Sequence, residues 1–103
     1  MAKTETIQAF RNTKNIGTLS YSTSQYADRQ AVMEQAFNDI TVTNEAFIGN
    51  LGYAGQALII GYKYAGGQYG MMLAWWYNSM GSINCMNVIE GSKYHRKLDL
   101  SAI

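Results

Sequence analysis

Nucleophilic catalysis needs a Ser, Cys or Lys beside a base, and this chain has little from which to build such a pair. It holds one histidine, His95, and one cysteine, Cys85. A reactive thiol needs an electropositive, accessible setting. Cys85 sits in the apolar run "INCMNVI" (83–89) and reads as a small hydrophobe. The seven carboxylates are scattered, and no pair has the look of an acid–base couple. No cluster shows metal-ligand spacing, and "GNLGYAG" has neither the G-x-G-x-x-G nor the G-x-x-x-x-G-K-[ST] pattern that cradles phosphates. These residues predict a protein that is not an enzyme and uses no metal or cofactor.

"KYHRK" (93–97) is the one basic concentration. Glu90 and Asp99 flank it, so it reads as a solvated strand face, with His95 on the charged, outward side. A formal net charge of +1 gives no footing for nucleic-acid binding. The aromatic set speaks more clearly: Tyr53, Tyr62, Tyr64, Tyr69, Trp75, Trp76, Tyr77 and Tyr94. Such rings fill a core, seal a subunit interface or stack on sugars. A sugar site needs an exposed ring beside amides, and Tyr53, Asn50, Gln56 and Asn78 are the candidates. Between Ala46 and Ile89 the only charged residue is Lys63. Charge depletion with Tyr, Trp and Met enrichment is the composition of a buried interface.

The elements that must position these residues follow from spacing. Length predicts one domain with a thin core. No apolar signal region follows Met1 and no run is long enough to span a membrane, so neither a secretory leader nor a transmembrane helix is expected. Residues 1–20 read as an extended N-terminal arm with Ile7, Phe10 and Ile16 as apolar anchors, and 21–103 as a single helix-plus-β domain. "GTLSYS" alternates weakly enough for a short strand. The one amphipathic helix is expected over about 24–39, capped by Ser22 with Gln25, with Tyr26, Met33, Phe37 and Ile40 on one face. The remainder alternates with a period of two between turns, which predicts a mainly β, antiparallel meander. Tyr69, Met71, Leu73, Trp75 and Tyr77 share one face of a strand, and Met72 and Trp76 lie on the other. Both faces are apolar, so both need a cover.

The segment "QALIIGYKYAGGQYGMMLAWWYNSMGSINCMNVIEGSKYHRKL" resembles the C-terminal β-knob of bacteriophage fibre proteins. The likeness rests on a strand before a glycine-rich turn, on Gln68-Tyr69-Gly70-Met71-Met72-Leu73-Ala74, and on Tyr94-His95-Arg96-Lys97-Leu98. The usual closing Asn-Gly-x-Trp turn and a long upstream shaft are missing. A short chain with a polar arm is also similar to small head-fibre, or capsid-decoration, proteins. The resemblance implies an intertwined homotrimer in the virion, attached to other virion proteins by its arm and contacting host-surface carbohydrate. Tyr69, Met71, Leu73, Trp75, Tyr77, Met72 and Trp76 would then form the core or the three-fold interface. The rival reading is a small intracellular phage-encoded binding protein, an inhibitor or ligand sponge acting against a host system.

Overall fold

The computed structural model describes residues 12–100. One sheet of six strands runs in the order β1 (Lys14–Ser20), β2 (Phe47–Gly52), β3 (Gln56–Tyr64), β4 (Tyr69–Trp76), β5 (Ser82–Ile89) and β6 (Ser92–Asp99). Strands β2 to β6 form an antiparallel meander, as their spacing predicts. β1 instead pairs parallel with β2, and α1 (Arg29–Asp39), the one α-helix among the described residues, makes the connection between them. A parallel pair needs such a crossover, because a tight turn can only reverse the chain. The last part of the expected arm is therefore a strand of the sheet, and Ile16 packs against the core from it. Ile7 and Phe10 lie outside the described residues.

The helix starts later than its sequence suggests. Asp28, with an extended backbone, accepts a hydrogen bond from Ala31 N at 2.9 Å and is the N-cap. Ser22 is spent locally. Its carbonyl accepts from Gln25 N and Tyr26 N, and its hydroxyl meets that of Ser24. Val32, Met33, Ala36 and Phe37 are buried, and each large side chain among them contributes roughly 1.5–3 kcal/mol by leaving water. Helix α1 lies over the side of the sheet where the strands carry small residues, including Gly49, Ala57, Gly61, Gly70 and Ala74. A Cβ on Gly61 would collide with the Phe47 ring. One on Gly70 would collide with the Tyr62 carbonyl and come within 2.8 Å of Phe37 Cζ. Gly70 thus lets Phe37 of the helix approach the sheet, and Gly61 makes room for the Phe47 ring between the layers.

Polar side chains tie the layers together. Lys63, nearly buried beneath the helix, donates from Nζ to the Phe37 carbonyl at 2.6 Å and sits 5.1 Å from the Phe37 ring centre. A cation at a helix C-terminus meets unsatisfied carbonyls and the negative end of the dipole. Burial holds the Lys63 ammonium below the ordinary lysine range, and the Asp39 carboxylate partly opposes this. Tyr21 donates to Asp39 at 2.7 Å, which anchors the segment after β1 to the end of α1. Trp76 is fully buried. Its indole donates to the Tyr53 carbonyl at 2.8 Å, and the Arg29 guanidinium covers its ring at 4.5 Å. His95 faces the helix layer, with Nε2 at 2.7 Å from a Glu34 carboxylate oxygen. The charged side of β6 is thus the helix side, the reverse of its expected outward position, because α1 presents Glu34 to it.

Turns separate the strands where glycine or a left-handed backbone is available. Glu90 and Gly91, both at positive φ, join β5 to β6 in a two-residue hairpin loop closed by Ile89 and Ser92. Ala65, Gly66 and Gly67 do the same work between β3 and β4.

Candidate functional site

Among the described residues, no helix lies on the second face of the sheet. Strand register builds it in rungs that cross β3 to β6. One rung is Ile60–Leu73–Cys85–Arg96, and the next is Tyr62–Met71–Asn87–Tyr94. Leu58 pairs with Trp75 toward one end, and Tyr64 with Tyr69 at the other. The large apolar side chains left exposed are Ile60, Tyr64, Met71, Tyr77, Met80, Ile89, Tyr94 and Leu98, and all belong to this face or to the turn beside it. Arg96 is the only charged strand residue on it among the described residues. Four strands about 4.8 Å apart and some 26 Å long give a projected area of roughly 500 Å². Most of that area is apolar, which puts the patch within the range of the largest on a typical monomer, about 300–600 Å².

Three adjoining hollows line the face. The driest, about 380 Å³, is bounded by Leu58, Ile60, Leu73, Trp75, Met80, Ile83 and Leu100. The Trp75 indole donates to the Met80 carbonyl at 3.3 Å, which fixes the β4–β5 turn at its rim. A second, of about 630 Å³, includes Met71, Cys85, Asn87, Tyr94 and Arg96, and a third, of about 290 Å³, includes Tyr62, Tyr64, Tyr69, Met71 and Asn87. The rings of Tyr64 and Tyr69 stack, with centroids 5.5 Å apart and planes at 21°.

The residues expected at an interface divide between the two faces. Met72 and Trp76 are completely buried under α1. Tyr69, Met71, Leu73, Trp75 and Tyr77 line the open face instead of filling a core within the single chain. Cys85 is also on the open face and only partly buried. The four residues suggested for sugar contact do not form one site. Tyr53 is 7% exposed and donates its hydroxyl to the Tyr26 carbonyl at 2.6 Å, so it offers no ring surface for stacking. Asn78 donates to the Ala54 carbonyl and accepts from Arg29. Gln56 opens β3, where its carbonyl accepts from Tyr77 N. Asn50 does reach the open face, where it accepts the Tyr77 hydroxyl at 2.8 Å. The alternation of β3, β4 and β6 carried the signal for a better cluster, since it set Tyr62, Tyr64, Tyr69 and Tyr94 on matching parities.

No group of three or more His, Cys, Asp or Glu side chains among the described residues is placed to hold a metal ion. No helix among them is long and apolar enough to cross a membrane. The chain matches no protein-family model, no curated protein and no solved structure.

Proposed function

We propose that this chain is a non-enzymatic structural module that assembles through its open sheet face, as the trimeric head-fibre or tail-fibre-like unit of a phage virion. The observation that carries the assembly reading is the largely apolar face of β3 to β6, which no other described element covers and on which Arg96 is the single charge among the described residues. Water contact over so much apolar surface is unfavourable, and a subunit seam removes it. The sheet edges are poor alternatives. β6 carries Lys93, Arg96 and Lys97, and the ladder of β1 is interrupted between Asn15 and Thr18, where Gly17 has a positive φ. Charge and irregularity at an edge oppose strand-to-strand association, so the face is the better seam. The phage setting and the three-fold number come from the β-knob resemblance. In that setting the segment before β1 attaches the module to other virion proteins, and the part of the face outside the seam meets host-surface carbohydrate.

The native mass of the purified full chain tests the assembly. Three times the 11.5 kDa chain mass is expected, and a stable single-chain mass at micromolar concentration overturns it. The rival is an intracellular binding protein that uses the same face and its hollows for a host protein or small ligand. Copy number separates the two: a structural subunit is present at many copies in purified particles, and an inhibitor is essentially absent from them.

A further inference from the structure

The open face changes character along its strands. Toward the Leu58–Trp75 end its side chains are mostly apolar, and the polar tips there are spent: the Trp75 indole N–H on the Met80 carbonyl and the Tyr77 hydroxyl on Asn50. Toward the Tyr64–Tyr69 end it is polar-tipped. Outside this end the hydroxyls of Tyr21, Tyr53 and Tyr77 each have a partner, and only that of Tyr26 has none among the described residues. Those of Tyr62, Tyr64, Tyr69 and Tyr94 have none among the described residues. The Asn87 amide lies on the rung between Tyr62 and Tyr94, and the Arg96 guanidinium on the rung beside it. The two hollows at this end share Met71 and Asn87 in their walls, so they adjoin along the face as one trough lined by both sets of residues.

A second copy of the chain is a poor occupant for this end. It would bury the tyrosine hydroxyls and a guanidinium against a face that offers no carboxylate, and unpaired buried polar groups are costly. A nucleic-acid strand is also a poor fit, because one cation cannot follow a line of phosphates. The complementary ligand has flat C–H faces to lie on tyrosine rings, several hydroxyls to meet the phenols and the amide, and a single carboxylate for the arginine fork.

We infer that the trough formed by Tyr62, Tyr64, Tyr69, Asn87, Tyr94 and Arg96 binds an acidic oligosaccharide, with a uronic or sialic acid carboxylate on Arg96 and its rings on the tyrosines. This rests on the carbohydrate contact proposed above and gives it a site and a ligand class. The mostly apolar end remains for the subunit seam.

The full chain is titrated by calorimetry with trigalacturonic acid and with 3′-sialyllactose, against the neutral maltotriose and lactose. Saturable binding of at least one acid is expected, with its neutral counterpart about tenfold or more weaker. Arg96→Gln should erase that preference, and Tyr94→Ala should weaken acidic and neutral binding together. Both residues are exposed, so both variants should keep the parent native mass and melting temperature. The inference is overturned if neither acid binds saturably, or if Arg96→Gln retains the preference. It also fails if Tyr64 and Tyr94 resist nitration in the assembled protein, since a neighbouring copy would then occupy the trough. Acid-selective binding by a protein of single-chain mass would remove the assembly reading and leave this one standing.

Discussion

Lys63 shows how a single charge serves an apolar sheet. It sits among core residues because its ammonium satisfies the Phe37 carbonyl, while its stem packs in the layer between α1 and β3. Lys63→Met keeps the stem and removes the donor, leaving a buried carbonyl unpaired. A loss of about 1–3 kcal/mol is expected in thermal or urea melts. The Tyr21–Asp39 bond makes a second prediction at this scale. Hydrogen bonds from Tyr21 and then Gln35 hold the Asp39 carboxyl below its ordinary 3.8. Burial, with the Asp39 bond and charge, pushes the Tyr21 phenol well above its usual range. For a carboxyl whose folded pKa is depressed, the stabilisation is complete above the unfolded value. It is lost as pH falls through the folded one. Tyr21→Phe should therefore melt below the parent at neutral pH, and the two melting curves should converge as pH drops below the ordinary carboxylate range.

At the scale of elements, the N-cap of α1 is the contact most open to a single test. Asp28→Ala leaves Ala31 N without its acceptor and should cost about 1 kcal/mol by thermal melting, whereas Ser22→Ala should cost little. The contrast also shows where local pattern misleads. Ser22 and Gln25 have capping-box spacing, but the Ser22 carbonyl closes a turn and the helix waits for Asp28. Strands β3 to β6 were legible to within about two residues at each end, because period-two alternation runs between turns rich in glycine and polar residues. β2 was harder. Asn50, Leu51 and Gly52 resemble a loop, and they extend the strand because β1 and β3 both pair with them. The parallel β1–β2 pair was not legible, since a crossover partner is chosen by tertiary contacts. Parity in β4 separated Trp75 from Trp76, but it did not say which side α1 would cover. Close-packing space bears on that: on the covered side Gly70 leaves room for Phe37 of the helix, and Gly61 for the Phe47 ring of the neighbouring strand. The tyrosine trough was scattered over β3, β4 and β6, and only the register brings its rings onto adjoining rungs.

The whole molecule is a helix-covered sheet with one face still in need of a cover. Leu73 sits on the central Ile60–Leu73–Cys85–Arg96 rung of that face, away from the helix. Leu73→Asp should yield a folded single chain, with far-UV circular dichroism close to that of the parent and a native mass reduced to one subunit. Met72→Asp, one position along, places a carboxylate under α1 and should unfold the protein. Those two outcomes separate loss of assembly from loss of fold. The adjacent tryptophans extend the same division into spectroscopy. Trp76 emits from beneath the helix, with Arg29 over its ring, and Trp75 emits from the open face. In a Trp75→Phe protein the remaining fluorescence should stay blue on dilution and shift red only in denaturant. In a Trp76→Phe protein it should shift red as the subunits separate, before any helix is lost. Two neighbouring chromophores in one strand would thus keep time for two different events, and stopped-flow refolding of the pair would show whether the chain folds before it finds its partners.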